Sequence, residues 1–341
     1  MRAAVFKELQ KPMVIESVTD PVCLPTNIIL KVKNCGICGS DLHMTEPGTI
    51  MPLPGGAIMG HEFAGEVMEV GSAVKHLWKT GDRVAGFPVI CCGDATPCLN
   101  WTGRGLCAKM TPVGLGQAPG AYAEFVRIGA SQGYKLPESV SFREGAMVEP
   151  LAVGLHAVDM AKMSRGATVL VIGAGPVGLA TMLWAKFLGA RHVIVSEKAE
   201  NRKKMAARFG ATDAIDPGQP LAPQVRAIAG KDADIIFECV GVPGLLNNVM
   251  AEAPRGGRIV VAGVCQQPDT IMPLMGIMKE LEIQFVLGYR PADFDYVIAM
   301  IAQDRVDVAH MVTDIVDLEA LPAAFEALRK PSHQCKVMLE N

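Results

Sequence analysis

Three short stretches of this chain carry side chains that a plain hydrophobic core does not need. They are Cys35-Gly-Ile-Cys38-Gly-Ser40-Asp41-Leu-His43, then Gly60-His61-Glu62-Phe-Ala-Gly65, and finally Glu149-Pro150. Cysteine, histidine and glutamate together make a zinc shell that leaves one position for water or substrate. Each also has an ordinary alternative. Cys38 reads as a small buried hydrophobe, His61 as a hydrogen-bonded core imidazole and Glu149 as a carboxylate at a helix start. Taken singly, the ordinary readings win; their joint occurrence beside a nucleotide motif reverses the balance.

That nucleotide motif occupies residues 168–202, TVLVIGAGPVGLATMLWAKFLGARHVIVSEKAENR. A β-branched run turns through Gly173-Ala-Gly175-Pro176-Val177-Gly178 into an apolar helical segment, and a second apolar run ends at Glu197. A G-x-G-x-x-G turn between strand and helix, with a carboxylate about 20 residues on, is the dinucleotide fingerprint in its full context. Gly173 allows the tight turn, Gly175 lets backbone approach a pyrophosphate, and Gly178 lets helix pack on strand. Pro176 gives up an amide hydrogen that lacks a partner in the first helical turn anyway. The remaining amides there, with the helix dipole, attract phosphate. Glu197 can accept from both adenosine ribose hydroxyls and repel a 2'-phosphate, so NAD is expected rather than NADP. Lys198 stands nearby, as does Arg202, which is counted among the cofactor contacts.

The elements that must position these residues divide the chain. At 341 residues, about two domains are expected. Hydrophobic residues make up 50% and charged residues 20%, so the chain reads as globular. The net charge is -3 with both signs scattered, so no nucleic-acid or lipid-headgroup patch is expected. The start, MRAAVFKELQKP, lacks an apolar run of signal-peptide length, and the uncharged stretch 168–185 is broken by glycine and proline. A cytoplasmic protein without a membrane segment is therefore expected. In that compartment ten cysteines point to thiols or metal ligands rather than disulfides.

Short β-rich runs at 3–6, 14–18, 28–34, 63–70, 83–87 and 121–128, punctuated by Gly and Pro, predict a small antiparallel barrel-like domain. Glu149, placed before Pro150 and an apolar helix over 151–163, is expected at the domain junction. Beyond Glu197, strands near 235–240, 258–264 and 283–287 alternate with helices near 201–210 and 243–253, predicting a doubly wound parallel sheet. The expected boundaries are 1–149, 150–288 and a return to the first domain over 289–341, with a helix at 321–328 and a strand at 335–339.

The motifs CGICGSDLH, GHEFAGEV, GDRVAG, GAYAEF, VEPLAVGLHA, VIGAGPVG, FECVG and KELEIQFVLGY run nearly the full length of the chain. Together they resemble the zinc-dependent medium-chain dehydrogenases/reductases. The resemblance implies an α/β fold, a Rossmann cofactor domain joined to a mainly β GroES-like catalytic domain. It also implies a homodimer or homotetramer acting on a small alcohol or its carbonyl partner. By position, Cys38 and His61 look like zinc ligands, and Glu149 occupies the place of the third. Glu62 is either a partner behind the ligands or an alternate ligand. Asp41 resembles the carboxylate that orients the histidine. Ser40 and His43 look like a proton relay, while Val264 and Leu287 join the expected cofactor contacts. In many relatives a C-x2-C-x2-C-x7-C lobe closes a structural zinc site. Here Ala95 stands at a ligand position and Cys107 falls one residue late, so a second, structural zinc is not expected.

Hydride leaves carbon readily only from an alkoxide. Zinc can bring a bound water from a pKa of roughly 15.7 to about 7. A comparable shift for an alcohol is worth roughly 12 kcal/mol, against about 3 to 5 kcal/mol from a histidine general base alone. The metal is therefore expected to carry the activation, with Ser40 and His43 removing the proton. Sorbitol-type relatives usually have tyrosine after the relay histidine and arginine before the residue matching Tyr289; here Met44 and Gly288 stand there. Met44, Trp101, Met110 and Leu115, with Met272 and Met275, suggest an adaptable apolar wall. Hence a medium-sized, largely apolar alcohol is expected, with a polyol, diol or threonine as the alternative. A zinc-free quinone-reductase type would lack Cys38, His61 and Glu149, and a non-catalytic NAD or zinc sensor has no use for Ser40 and His43.

Overall fold

The computed structural model describes residues 1–90, 110–330 and 333–341. The 91–107 cysteine lobe and Trp101 lie outside the described residues. Two compact units emerge, Met1–Glu149 with Arg290–Asn341, and Pro150–Tyr289, so the second boundary falls one residue beyond position 288.

The first unit is built from strands β1 (Arg2–Val5), β2 (Val14–Ser17), β3 (Asn27–Gly36), β4 (Glu62–Val70), β5 (Arg83–Gly86), β6 (Val89–Ile90), β7 (Thr111–Pro112), β8 (Phe125–Gly129) and β9 (Gly133–Lys135). Helix α1 (Gly39–Met44) interrupts the series after β3. Alternation of apolar and polar residues packs one face inward, and β3, with β4 and β8 antiparallel beside it, forms the centre. Phe63, Tyr122, Val126 and Phe325 are among the buried residues of its core. Residues 121–124 fall outside β8 because Ala121 and Tyr122 bond to Gly60 and Met59 in a loop.

Helix α2 (Phe142–Met160) differs from the expected 151–163 segment, and Pro150 lies inside it. The helix begins early because Ser141 and Glu144 cap it reciprocally: the Ser141 amide and hydroxyl donate to Glu144 Oε2 (2.7 and 2.6 Å), and the Glu144 amide donates to Ser141 Oγ (3.2 Å). Pro150 removes one internal hydrogen bond without ending the helix, and the residues flanking it, Val148, Glu149, Leu151 and Ala152, are all buried.

The second unit holds a parallel sheet of β10 (Thr168–Ile172), β11 (His192–Ser196), β12 (Asp213–Ile215), β13 (Ile235–Glu238), β14 (Arg258–Val261) and β15 (Glu282–Phe285). Spatial order is β12-β11-β10-β13-β14-β15, so the chain reverses direction of travel between β10 and β13. Open α/β sheets bind ligands at such a switch point, beyond the strand C-termini. Crossovers α3 (Pro176–Phe187), α4 (Glu200–Arg208), α5 (Leu221–Ala229), α6 (Leu245–Glu252) and α7 (Pro273–Lys279) link the strands. The buried β-branched runs of β10 and β11 are what a sheet covered on both faces requires.

The chain then returns to the first unit through α8 (Pro291–Ala302), β16 (Val312–Val316), α9 (Leu321–Ala327) and β17 (Lys336–Glu340). Strand β17 pairs antiparallel with β3, with Met338 opposite Gly36. Among the described residues no helix is long and apolar enough to cross a membrane.

Candidate metal centre and dinucleotide site

Strand β3 ends at Gly36, and the chain turns through Ile37 and Cys38 into α1. The turn is closed by the Cys38 amide donating to Asp41 Oδ2 at 3.0 Å. Across the sheet, Glu62 opens β4 directly opposite Gly36. A Cβ on Gly36 would lie 2.1 Å from Glu62 Oε2, so only glycine leaves room for that carboxylate. Gly60, at φ +97, lets the chain pass the Tyr122 ring just before His61.

These turns bring Cys38, His61 and Glu62 together, with one ligand atom from each lying within 4.8 Å of the others. His61 and Glu62 are buried and Cys38 is half-buried. Glu149, expected as the third ligand, is buried in α2 and lies outside that three-residue group. Cys35 sits in the apolar core, where burial first, then the nearby carboxylates Asp41 and Glu62, push its thiol well above the usual range. The two cysteines of the first stretch are thus separated by environment: Cys38 faces the cluster and Cys35 is core.

Asp41, fully buried, accepts from the Tyr122 hydroxyl at 2.7 Å as well as from the Cys38 amide. Its Oδ1 faces His61 Nδ1 at 3.2 Å, although neither atom has an in-line hydrogen bond. The short separation makes the contact electrostatic in the main. Burial depresses the His61 pKa, but Asp41 and Cys38 outweigh it and leave it well above the ordinary histidine value. A site whose anions draw a proton onto its imidazole is one a divalent cation would neutralise. The soft and borderline donors, and the carboxylate behind the histidine, fit zinc. Tyr122 is held well above its usual pKa by burial and by Asp41, so it remains a phenol that can donate.

Two residues were not singled out from sequence. Tyr122 lies within GAYAEF, where its ring reads as core. Lys336, in the short strand KVMLE, is completely buried and places Nζ 2.7 and 2.6 Å from the two Glu62 oxygens and 3.0 Å from the Ile37 carbonyl. Burial alone would lower its pKa; Glu62 and Cys38 raise it instead, so the ammonium persists. A lysine just ahead of the apolar run 337–339 was the available signal.

Ser40 Oγ is 3.4 Å from His61 Nε2. His43 is 42% exposed, with Nδ1 3.3 Å from Glu46 Oε2. Met44 is 1% exposed and packs in the core, so it does not form the apolar wall expected of it. Leu115 packs partly buried against the same core.

In the second unit Gly173 adopts φ +92, and a Cβ on Gly178 would lie 2.1 Å from the Gly173 carbonyl oxygen. Gly175 caps α3, with Pro176 in the first turn and Val177 after it, and a Cβ there would meet open space. Two glycines are thus demanded by packing, and the third leaves backbone open to a ligand. Glu197 Oε2 accepts the Ala174 amide at 3.0 Å, and Oε1 accepts the amides of Lys198 and Ala199 at 2.8 and 2.9 Å. A carboxylate offers about four acceptor positions, so this one is braced against the glycine turn with capacity remaining for a ribose hydroxyl. Arg202 lies half-buried on α4, while Val264 and Leu287 follow β14 and β15 with exposures of 52% and 72%. Those cradle features fit a dinucleotide. Glu238 is occupied by the amides of Val240 and Gly241 at 2.7 and 2.8 Å, a structural duty.

Comparison with known proteins agrees with this fold. Residues 24–138 match the alcohol dehydrogenase GroES-like domain and residues 176–303 the zinc-binding dehydrogenase domain. The chain is 32% identical over 346 residues to a sorbitol dehydrogenase of Bacillus subtilis, covering 99% of this chain and 97% of that protein. The crystal structure of 2R,3R-butanediol dehydrogenase from Bacillus subtilis superimposes with a TM-score of 0.88 at 31% identity, over 100% of this chain and 99% of that one. A zinc-binding dehydrogenase of Sinorhizobium meliloti 1021, described as putative and bound to NADP, gives 0.86 at 28% identity over 100% and 99%.

A GroES-like fold and a Rossmann fold in one chain, with a Cys-His-Glu cluster in the first, define a zinc-dependent dehydrogenase. This chain belongs to the zinc-dependent medium-chain dehydrogenase/reductase family. It is an oxidoreductase acting on CH–OH groups with a catalytic zinc and a nicotinamide cofactor.

Proposed function

We propose that this enzyme moves a hydride between a medium-sized, largely apolar alcohol and NAD, giving the aldehyde or ketone. The observation that carries the reading is the buried cluster of Cys38, His61 and Glu62, with Asp41 against His61. Cys38, His61 and Glu149 would hold the metal, with Glu62 beside them either as a partner behind the ligands or as an alternate ligand. Zinc, when bound, supplies Lewis-acid activation of the substrate hydroxyl. Asp41 holds the His61 ring so that Nε2, not Nδ1, is offered to the site. Ser40 takes the hydroxyl proton and His43 passes it outward, a role its partial exposure supports. Tyr122 restrains Asp41 from behind.

Glu197, with its negative charge beside the glycine turn, supports NAD over NADP. The absence of the polyol-binding arginine at Gly288 supports an apolar substrate. The relatives named for sorbitol and butanediol favour a second reading, a diol or sugar alcohol. A cytoplasmic homodimer or homotetramer completes the proposal. Strand β15 is one edge of the sheet among the described residues and carries the exposed Phe285, with Leu287 just beyond it.

The test is NAD and NADP reduction across a panel of apolar alcohols, diols and polyols, with and without chelator. Chelator-sensitive turnover with NAD, highest on apolar alcohols, is expected. Sorbitol or xylitol far ahead would transfer the substrate assignment to the second reading, and turnover indifferent to chelator would remove the metal from the mechanism.

A further inference from the structure

We propose that Lys336 is a positioning residue that keeps Glu62 bound to the protein rather than to the metal, and so keeps a coordination position open to substrate. The inference rests on the metal site proposed above. Glu62 stands in the cluster with Cys38 and His61, and a carboxylate there would ordinarily ligate any divalent ion in reach. Its two oxygens, however, both accept from one ammonium, at 2.7 and 2.6 Å. The third proton of that ammonium goes to the Ile37 carbonyl at 3.0 Å, which saturates the donor set of a lysine.

The restraint is rigid. Lys336, Gly36 and Glu62 come from β17, β3 and β4, three neighbouring strands in fixed register. Gly36 leaves no Cβ to push the carboxylate aside, and both Lys336 and Glu62 are 1% exposed, so water cannot substitute for either partner. With the ammonium present, the Glu62 charge is already balanced and its electron pairs are weakened as metal donors. With the ammonium removed, a buried carboxylate faces the cluster uncompensated, and a bound cation becomes its nearest counter-charge. The proposal therefore predicts that deleting the lysine charge tightens metal binding while lowering turnover.

The experiment follows transfer of the active-site ion from holoenzyme to a chromogenic chelator, taking the phase that parallels loss of turnover. In parallel, the cobalt-substituted protein is examined by visible absorption. Lys336→Met is expected to release its metal about tenfold more slowly than the parent, with altered cobalt bands and reduced kcat. Lys336→Arg, which keeps the charge, should stay within about threefold of the parent and keep its cobalt spectrum. The double variant E62Q/K336M carries neither charge of this buried pair, so it keeps the test available should the single variant not fold. It should also release metal within about threefold of the parent, because Glu62 contributes little to retention there.

Release from Lys336→Met as fast as from the parent, or faster, would overturn the proposal. So would a double variant releasing tenfold faster, since Glu62 would then be a full ligand that Lys336 holds in place. A parent that takes up neither zinc nor cobalt overturns the metal site and this inference together. A parent that takes up the ion and fails only the Lys336 comparisons overturns this inference alone.

Discussion

The side chains around His61 form a short relay of contacts: Tyr122 to Asp41, Asp41 to His61, His61 toward Ser40 and the Cys38 cluster. Asp41 is the member whose loss is most diagnostic, because it touches the proposed ligands without being one of them. Asp41→Asn is expected to weaken metal affinity about 10- to 100-fold, read by chelator competition. An unchanged affinity would mean that the aspartate serves the α1 turn alone. Cys239 gives a second prediction at this scale. Burial, reinforced by Glu238, pushes its thiol up to about 12, although Thr181 pulls the other way. At pH 8 only about one thiol in ten thousand is then ionised, so the nucleophilic form is nearly absent. Iodoacetamide followed by peptide mass spectrometry should modify the exposed Cys265 and spare Cys239 in the native enzyme. Prompt alkylation of Cys239, which is half-buried, would show that its thiol is not held in the protonated form.

Elements decide where those residues meet. Helix α2 starts at an S-x-x-E pattern formed by Ser141 and Glu144, nine residues before the start that Pro150 suggests. The signal lost to a stronger local rule, that proline starts or ends helices, which tertiary packing overrode. The end of β17 is tied to the start of α2 by Arg143, whose guanidinium donates to Glu340 at 2.8 and 3.2 Å. That bond, then one from Asn34, lowers the Glu340 pKa in the folded chain. A carboxylate with a depressed folded pKa contributes stability above its unfolded value, about 4.3, and loses it as pH falls through the folded value. Glu340→Gln should therefore destabilise by a constant, small amount above about pH 5, and the gap to the parent should close at more acidic pH. Urea midpoints between pH 3 and 7 measure this; a gap that widens toward acid would reverse the assignment.

For the whole molecule, the composition and motif order were enough to expect two folding units, and the contact pattern divides the chain after Glu149 and again after Tyr289. Among the described residues β15 pairs only with β14, and the second unit exposes large apolar groups on and just after that strand, Phe285 and Leu287, and on α7, Ile277 and Met278. Surface of that kind on an edge strand is ready-made for pairing with another chain. Light scattering should show a dimer or tetramer for the parent, and Phe285→Asp should shift the population toward monomer with the sheet intact by circular dichroism. A monomeric parent at micromolar concentration would leave that edge without the proposed partner.

The amino-acid order by itself determined the pieces whose information is local. The glycine turn needs only neighbours in sequence, because strand, turn, helix and the acid at Glu197 are joined by short chain lengths. Cys38 and His61 were legible for the same reason, each inside a compact motif. The pairing of Lys336 with Glu62 spans 274 positions, and that of Tyr122 with Asp41 spans 81. No periodicity links residues so far apart. Only the register of β17, β3 and β4 brings them together, and only burial makes a lysine there an ion-pair partner instead of a surface charge. The tertiary structure likewise assigned Met44 to the core and placed Glu62, rather than Glu149, in the close group with Cys38 and His61. Contacts between distant segments are set by packing and desolvation, which no single stretch of residues encodes.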